Sequence, residues 1–290
     1  MISIIGIGNG ASNIAKNFCQ YPQYDVYLLC DNEKDDSFEH FHYKLESHED
    51  PEEYEKKIPK LTKFFSKVRE KVQVFIVGSS YSSIYSLGIL EQIKDKEIEI
   101  FYIKPDIELL TGIPKLLENT TFGILQEYAR SGVFSSFTII SNLHLENALG
   151  GVPIKTYYET LNNSIFSTVH FLNYFYYNEP ELGAISKPAP INRIRTIGRI
   201  NPIDLEESWF FELDSEREVC YYVCINEEKL KTDTALHKKI VSRLKDKPRN
   251  AFRKVSYAVY ETEHSQDFGF CVAHTNVVQQ QKTLDKLEQE

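Results

Sequence analysis

Near the start of the chain, a run of alternating glycines follows a short apolar segment. Residues 2–5 read Ile-Ser-Ile-Ile, residues 6–13 read Gly-Ile-Gly-Asn-Gly-Ala-Ser-Asn, and residues 14–18 have a helical pattern. Glycine lets the backbone approach a ligand closely, and the first amides of the following helix point at that ligand. The pattern is typical of a phosphate-binding loop, with Gly8, Asn9, Gly10 and Asn13 as contacts. A tight strand-to-helix turn that binds nothing has the same pattern.

A second polar turn follows the apolar run Val72 to Val77. It contains serines between residues 79 and 86, and a helix is predicted from about Ser83 to Ile93. The hydroxyls of Ser82 and Ser83, together with helix-start amides, could receive a second part of an anion. A serine-capped helix that binds no ligand explains the same residues.

Composition limits the class of protein. The chain has 290 residues, 42% hydrophobic and 26% charged, which is typical of a soluble globular protein. No apolar run is long enough to span a membrane, and no basic region precedes the first apolar strand, so we expect a cytoplasmic protein without a membrane partner. The net charge of -9 argues against nucleic acid as a partner.

Cysteines and histidines give no metal motif. The five cysteines are scattered without a C-x-x-C pair, which favours free core thiols. His40, His42 and His48 are dispersed through an acidic segment, residues 31–60, and their spacing matches no ligand motif. We therefore predict a solvated, charged segment there and no metal site.

Strands and helices alternate through the first half of the chain. The predicted strands after residues 2–5 are Tyr24 to Cys30, Val72 to Val77, Ile98 to Ile103 and Phe134 to Ile140, with helices at 52–69, from about Ser83 to Ile93, and before Gly132. Such alternation predicts a parallel sheet covered on both faces, with ligands at the carboxyl ends of the strands.

Residues 154–176 form the longest helical pattern. One face carries Tyr158, Leu161, Ile165, Val169 and Leu172. Aromatic residues occupy much of the rest, so we predict a helix buried between layers. Asn162 and Asn163 interrupt this apolar pattern. They need hydrogen-bond partners if buried, or they belong to a solvent-facing turn.

The chain changes character after this helix. Residues 177–204 are predicted as a proline-containing connection, residues 205–276 as a small mixed domain, and residues 277–290 as a tail. Within the small domain we predict strands at Trp209 to Leu213, Val219 to Ile225, Arg253 to Glu261 and Phe268 to His274, and a helix from Thr234 to Leu244. Asp233 is placed to begin that helix, and Pro248 follows its end.

The whole arrangement resembles the tubulin and FtsZ superfamily over nearly all of residues 1–276. Residues 6–13 are similar to the family's first phosphate loop, Lys104-Pro105 to its fifth loop, and residues 141–145 to its sixth. The resemblance implies that Asn142 reads guanine, Tyr158 stacks on the base and Asn162 pairs with its edge. It implies an α/β fold with a Rossmann-like nucleotide-binding domain (residues 1–153), a long central helix and a smaller α+β C-terminal domain, with GTP or GDP as ligand. Self-association head to tail, or docking with other protein subunits, follows from the same resemblance.

Two loops depart from the family pattern. The family's fourth loop is a run of glycines, whereas residues 80–86 contain none, and side chains there would crowd the phosphates. In the loop after the central helix, Pro190 and Arg193 occupy the positions of the family's catalytic acids, and Glu179 and Glu181 are out of register. The departures imply a weakened phosphate grip and impaired or absent hydrolysis.

Three hypotheses from different classes therefore remain. The first is a divergent tubulin-like structural or assembly protein that keeps part of a guanine pocket. The second is an active polymerising GTPase with an unusual serine-rich loop. The third is a dinucleotide-dependent oxidoreductase, for which Asp31 is the one acid placed to read a ribose and no catalytic motif follows.

Overall fold

The computed structural model describes residues 1–247 and 253–280. The first half of its sheet is parallel, as the alternation of strands and helices predicts. The strands of this half are β1 (Ile2–Ile7), β2 (Tyr24–Cys30), β3 (Phe41–Lys44), β4 (Lys71–Val77), β5 (Glu97–Lys104) and β6 (Ser136–Ser141). The central strand β1 pairs with β2 on one side and β4 on the other.

The second half of the sheet is mixed and continues from the first. Its strands are β7 (Leu182–Ala184), β8 (Ile194–Ile200), β9 (Glu207–Trp209), β10 (Glu218–Asn226), β11 (Lys254–Thr262) and β12 (Phe268–Thr275). Phe137 of β6 lies opposite Ile194 of β8 in a parallel pair, so the halves join. Across the described residues the order is β3-β2-β1-β4-β5-β6-β8-β12-β10-β11-β7, with β9 beside β8. This is the predicted α/β class, a Rossmann-like parallel part followed by a smaller mixed part.

Helices cover both faces of the parallel half. They are α1 (Asn9–Lys16), α2 (Pro51–Lys56), α3 (Tyr85–Glu91), α4 (Gly112–Ser131), α5 (Asn142–Ala148) and α6 (Tyr157–Tyr177), and α7 (Glu227–Thr232) and α8 (Leu236–Asp246) belong to the mixed half. In β1, Ile5 packs into one core with Phe137, while Ile4 packs into the other core with Phe18 and Ile165. A strand buried on both faces reads as a continuous apolar run, which explains why β1 is recognisable from sequence.

The long helix α6 runs from the carboxyl edge of the parallel strands to their amino edge. Asn173, near its end, accepts a hydrogen bond from Gln73 of β4 at 2.7 Å, and Lys71, the first residue of β4, lies over the ring of Tyr176. Leu161 and Ile165 are buried in the core that includes β1 and β4. Phe175 packs with strands β10 to β12. The helix thus packs on both halves of the sheet.

The expectation that α6 is buried nearly all round is wrong. Tyr158, Tyr174, Tyr176 and Tyr177 are each at least half exposed. Only one side of α6 meets the sheet, and aromatic residues on the other side remain at the surface. Periodicity alone could not reveal this, because aromatic residues are common both in cores and on exposed contact surfaces.

The helix predicted at residues 52–69 is also wrong. The structure has the short α2, a non-helical segment, and a separate 3₁₀ turn at Phe64–Lys67. Asp50 caps α2 by accepting a hydrogen bond from the Glu52 amide at 2.9 Å. Pro59 has no amide hydrogen to continue a helix.

Several short elements lie where the sequence analysis placed none. They are β3, α5, α7 and β7, the last within the predicted connection at residues 177–204, which also contains the longer strand β8. The strand expected at Trp209 to Leu213 shares only Trp209 with β9, so most of that prediction is wrong, and α8 begins two residues after the predicted start. Segments this short hold too few residues for hydrophobic periodicity to be read. Pro248 and residues 281–290 of the predicted tail lie outside the described residues.

All five cysteines are free, and all but the partly exposed Cys19 are buried. In residues 1–247 and 253–280, no cluster of three or more histidine, cysteine or acidic side chains could hold a metal ion. Within the same ranges, no helix has the length and apolar character needed to cross a membrane.

Truncating the buried face of α6 tests its packing. Leu161→Ala and Ile165→Ala should each lower the free energy of unfolding by about 2–5 kcal/mol, because each leaves a cavity between helix and sheet. Leu109→Ala is a matched control at a side chain that is 80% exposed, and it should change that free energy by less than about 0.5 kcal/mol. Urea denaturation measures all three. Equal midpoints for the three variants would contradict the packing.

Candidate functional site

The glycine loop, residues 6–13, joins β1 to α1 at the carboxyl edge of the sheet. A Cβ on Gly6 would lie 2.7 Å from the Cα of Ser12, so glycine is needed for α1 to pack this close to β1. Gly8 has φ of 87°, a left-handed value that favours glycine. The N-terminus of α1 has no side-chain cap and no acidic residue in its first turn. The amides of Asn9 and Gly10 are therefore available to an anion.

The serine-rich loop, residues 78–86, meets the glycine loop through Ser82. A Cβ on Gly8 would collide with the Oγ of Ser82, so this hydroxyl lies directly against the glycine loop. Ser83 is buried and turned inward, where its Oγ donates a hydrogen bond to the carbonyl of Ser80 at 2.6 Å. Of the two predicted serines, the structure brings Ser82 to the glycine loop and uses Ser83 within its own turn.

The large side chains of the serine-rich loop point away from the glycine loop. Tyr85 is buried, and Tyr81 and Ile84 pack against the same core. The ring of Tyr54 in α2 lies 5.9 Å from Tyr81 and 4.9 Å from Tyr85, centroid to centroid. The space above Gly8 is therefore bordered by a serine, not by aromatic rings.

On the opposite side of the glycine loop, α5 and the start of α6 are tied together. The hydroxyl of Tyr157 donates a hydrogen bond to Glu146 at 3.0 Å. Desolvation by burial, with the neighbouring carboxylate, raises the pKa of Tyr157 to about 12, so it remains a neutral donor. Glu146 lies one helical turn after Asn142, on the same face of α5. Asn142 therefore lies on the face of α5 nearest to α6.

A second pair holds α6 against α1. Asn17 donates a side-chain hydrogen bond to Asn163 at 3.1 Å. Asn13 precedes Asn17 by one helical turn and lies on the same side of α1, toward α6. Asn163 thus has its partner at an exposed position, and its neighbour Asn162 is half-buried without a side-chain hydrogen bond inside the described part of the chain.

Tyr158 is the most exposed of the predicted contacts. Its ring is 69% exposed and meets the edge of Tyr157 at a centroid distance of 5.2 Å. Asn142 is half-buried, and its side chain has no hydrogen bond to any residue that the structure describes. One exposed aromatic ring and unengaged amides can stack on a planar base and pair with its polar edge.

The sequence analysis did not identify Glu118, and it did not predict that Lys104 pairs with it. Glu118 lies on the buried stripe of α4 with Phe122 and Leu125, and it accepts a hydrogen bond from Lys104 Nζ at 3.1 Å. Lys104, part of the predicted fifth loop, is thus directed inward. An acid within an apolar helical stripe is a signal that could have identified the pair, because a buried carboxylate needs a cation.

Of the residues expected near the catalytic acids of the family, Arg193 lies at the amino edge of the sheet. The guanidinium of Arg193 lies 3.5 Å from the position of a Cβ on Gly132, just before β6. Glu181 is exposed beside β11, and its amide donates to the carbonyl of Val259 at 2.8 Å.

Asp31, the candidate ribose reader, follows β2 and accepts a hydrogen bond from Ser47 Oγ at 3.1 Å.

Two cavities lie away from the glycine loop, in or beside the mixed half of the sheet. One of about 340 Å³ is bordered by Phe171 and the turn before β12, and one of about 390 Å³ lies between β11 and helices α7 and α8. The candidate site is by contrast an open cleft at the carboxyl edge of the sheet.

Comparisons with known proteins agree with this geometry at the level of the fold. No family model and no curated protein matches the sequence. Among solved structures, the chain is similar to an empty FtsZ dimer from M. jannaschii, with a TM-score of 0.67, 10% identity, and coverage of 94% of this chain and 88% of that one. It is similar to a GTPγS-form protofilament of TubZ from Bacillus thuringiensis serovar israelensis, with a TM-score of 0.66, 13% identity, and coverage of 94% and 86%. A four-stranded TubZ-Bt filament gives a TM-score of 0.69 at 11% identity, with coverage of 94% and 85%. The chain has a tubulin/FtsZ-like fold.

A pair of glycine substitutions tests the close approach of the two loops. Gly8→Ala should lower the free energy of unfolding by about 1–2 kcal/mol or more, because the new methyl group requires a left-handed backbone and meets Ser82. Gly123→Ala is the control. Gly123 lies inside α4, and a Cβ there would have no neighbour within 4 Å, so alanine should raise the free energy of unfolding by about 0.5–1 kcal/mol. Chemical denaturation compares them. A Gly8→Ala variant as stable as Gly123→Ala would contradict the close approach.

Proposed function

We propose that this protein associates with copies of itself, head to tail, and holds a guanine nucleotide weakly at the carboxyl edge of its sheet. The observation that carries the proposal is the exposure of large apolar side chains at both ends of the parallel strands. A protein that works alone rarely exposes such side chains in groups at two opposite ends.

The upper face is the end at the carboxyl edge of the parallel strands. It carries Leu109, Ile113, Leu116, Leu143, Ile154 and Tyr158, all exposed. These residues lie in the loop after β5, at the start of α4, in α5 and at the start of α6. They surround the cleft between the glycine loop and α6.

The lower face is the end at the amino edge of the same strands. It carries Met1, Tyr128, Val133, Tyr176, Tyr177 and Ile191, all exposed. These residues precede β1, end α4, precede β6, end α6 and precede β8. Two different faces at opposite ends favour a heterologous contact, which repeats along an axis and forms filaments unless it closes into a ring. Structures of similar fold described as protofilaments and filaments support this arrangement.

The cleft fits a guanine nucleotide best at its base end. Tyr158 offers an exposed ring, and Asn13, Asn142 and Asn162 offer amides on the three helices around it. At the phosphate end, the first amides of α1 and the hydroxyl of Ser82 are the donors. A similar structure described as a GDP form supports this ligand class. The phosphate oxygens of the nucleotide would accept hydrogen bonds from these donors, and the residues named here would hold and orient it.

Hydrolysis is expected to be absent or very slow. The loop that precedes β8 presents Pro190 and Arg193, neither of which can accept a proton from water. The buried Glu218 faces this loop from β10, but it accepts hydrogen bonds from the Ala189 amide and the Asn192 side chain at 2.7 and 2.6 Å. Loss of a water-positioning base typically slows such a reaction about 100- to 10,000-fold.

Calorimetry tests the base preference. GDP and GTP should bind more tightly than ATP, and Asn162→Ala should remove most of that preference, about tenfold in affinity, because the base edge loses its partner. Asn163→Ala is the matched control, since Asn163 pairs with Asn17 and should leave the preference unchanged. Absence of heat with all three nucleotides would contradict nucleotide binding but would not contradict self-association.

Sedimentation tests the association. The wild type should pellet in a concentration-dependent way, and Leu116→Asp and Tyr176→Asp should each abolish pelleting, because each places a charge in an apolar contact. Leu182→Asp, at the lateral edge of the sheet, should pellet like the wild type. Phosphate release from GTP in the pelleting samples should stay at background.

Mixing the two face variants gives the sharper result. A Leu116→Asp copy retains its lower face and a Tyr176→Asp copy retains its upper face, so the mixture should form dimers and no longer species. Dimers of either variant alone would contradict a head-to-tail contact. Phosphate release that disappears in Glu179→Gln or Glu181→Gln would favour an active GTPase instead.

A further inference from the structure

A fully buried charge pair lies beneath the serine-rich loop and has no role in the cleft described so far. Glu118 of α4 accepts hydrogen bonds from the hydroxyl of Tyr102 at 2.6 Å and from Lys104 Nζ at 3.1 Å. Glu118 has no exposed surface, and Lys104 is 6% exposed with its ammonium 4.3 Å from the centre of the Phe122 ring. A buried pair of this kind is kept in place by its hydrogen bonds, because either charge alone would be strongly unfavourable there.

The carboxylate of Glu118 also contacts the backbone of the serine-rich loop. A Cβ on Gly78 would collide with Glu118 Oε2 and with the Tyr102 hydroxyl, so the backbone at Gly78 rests directly on the pair. The amide of Ser79, the next residue, faces the same carboxylate. Ser79 has φ of 62°, a left-handed value that a residue other than glycine adopts only when its surroundings hold it.

Hydrogen bonds continue from this point to the glycine loop. Ser80 Oγ donates to the carbonyl of Val77 at 3.1 Å and lies 3.2 Å from the Oγ of Ser82. Ser82 in turn lies against Gly8. A continuous series of contacts therefore connects Glu118 in the interior with the surface of the candidate cleft.

We infer that Glu118 and Lys104 are a positioning pair that sets the serine-rich loop against the glycine loop from inside the protein, without a ligand. The carboxylate lies against the inner side of the loop backbone at Gly78 and competes with an external anion for the Ser79 amide. The consequence for ligands rests on the proposed function: Ser82 is placed for one phosphate group, and the loop offers no amide from Ser79 to another. GDP should therefore bind at least as tightly as GTP.

Hydrogen exchange of the backbone amides tests the pair without any nucleotide. The double variant Lys104→Met/Glu118→Leu removes both charges at nearly constant volume, a change that buried pairs often tolerate. Amides in residues 78–84 should then exchange at least about tenfold faster, while those of β1 and α6 keep their wild-type rates. Lys71→Met/Glu99→Leu is the matched control, because Lys71 and Glu99 pair at 3.5 Å near the amino ends of β4 and β5, away from the carboxyl ends of these strands at Val77 and Lys104. It should leave residues 78–84 unchanged.

A milder variant keeps the inference falsifiable if the double variant does not fold. Glu118→Gln keeps the shape but loses the charge, and it should also accelerate exchange in residues 78–84. Ser79→Gly should reduce this acceleration, since glycine adopts the left-handed conformation without the steric cost that a serine side chain carries. Wild-type exchange in these residues for every Glu118 variant would overturn the positioning role.

Calorimetry on the same variants separates this inference from the proposed function. If the Glu118 variants exchange faster in residues 78–84, bind GDP more weakly and bind guanosine as the wild type does, the positioning pair and the nucleotide site are both supported. Faster exchange with no binding of either compound supports the positioning pair and contradicts the nucleotide. If the wild type binds GTP much more tightly than GDP, the conclusion that the Ser79 amide is not offered to a further phosphate group is wrong.

Discussion

Because β8 continues the parallel strands beside β6, one sheet carries both halves of the molecule, and α6 packs across it from edge to edge. Leu161 and Ile165 fill the core above β1 and β4, and Phe175 fills the core above β10 to β12. Any change that displaced α6 would expose both cores at once. This packing also fixes the start of α6 beside the glycine loop and its end at the amino edge, so the cleft and the two exposed faces depend on it.

At the carboxyl edge of the sheet, glycines allow the loops to approach closely, and contacts between residues distant in sequence hold the loops in place. Gly6 and Gly8 allow the strand, the helix and the serine-rich loop to meet at distances that a Cβ would prevent. The loops are then held by groups remote in sequence: Glu118 beneath the serine-rich loop, Glu146 beside α6 and Asn163 beside α1. Each of these polar contacts is satisfied within the protein, which leaves Asn142, Asn162 and the first amides of α1 free to meet a ligand. The hydroxyl of Ser82 pairs with that of Ser80 and can still form another hydrogen bond.

Much of the fold could be predicted from sequence, because strands buried on both faces, such as β1, β4 and β5, are continuous apolar runs and the buried face of α6 has clear periodicity. Short elements such as β3 and α5 could not, since they hold too few residues. The exposed tyrosines of α6 were misjudged because composition does not tell which side of a helix is covered. At the candidate site, Gly8 and Ser82 could be named separately, but their contact depends on tertiary structure. Glu118 was predictable from sequence, because it is an acid within the apolar stripe of α4.

Cross-linking between single cysteines tests the central claim, head-to-tail association through the upper and lower faces, most directly. One copy would carry Leu116→Cys and the other Tyr176→Cys, each with the partly exposed Cys19 replaced by serine. After mixing, a flexible bifunctional maleimide should join unlike copies, and each copy alone should give almost no product, because a heterologous contact brings position 116 of one copy near position 176 of the next. Cross-links between like copies, with none between unlike copies, would contradict the account.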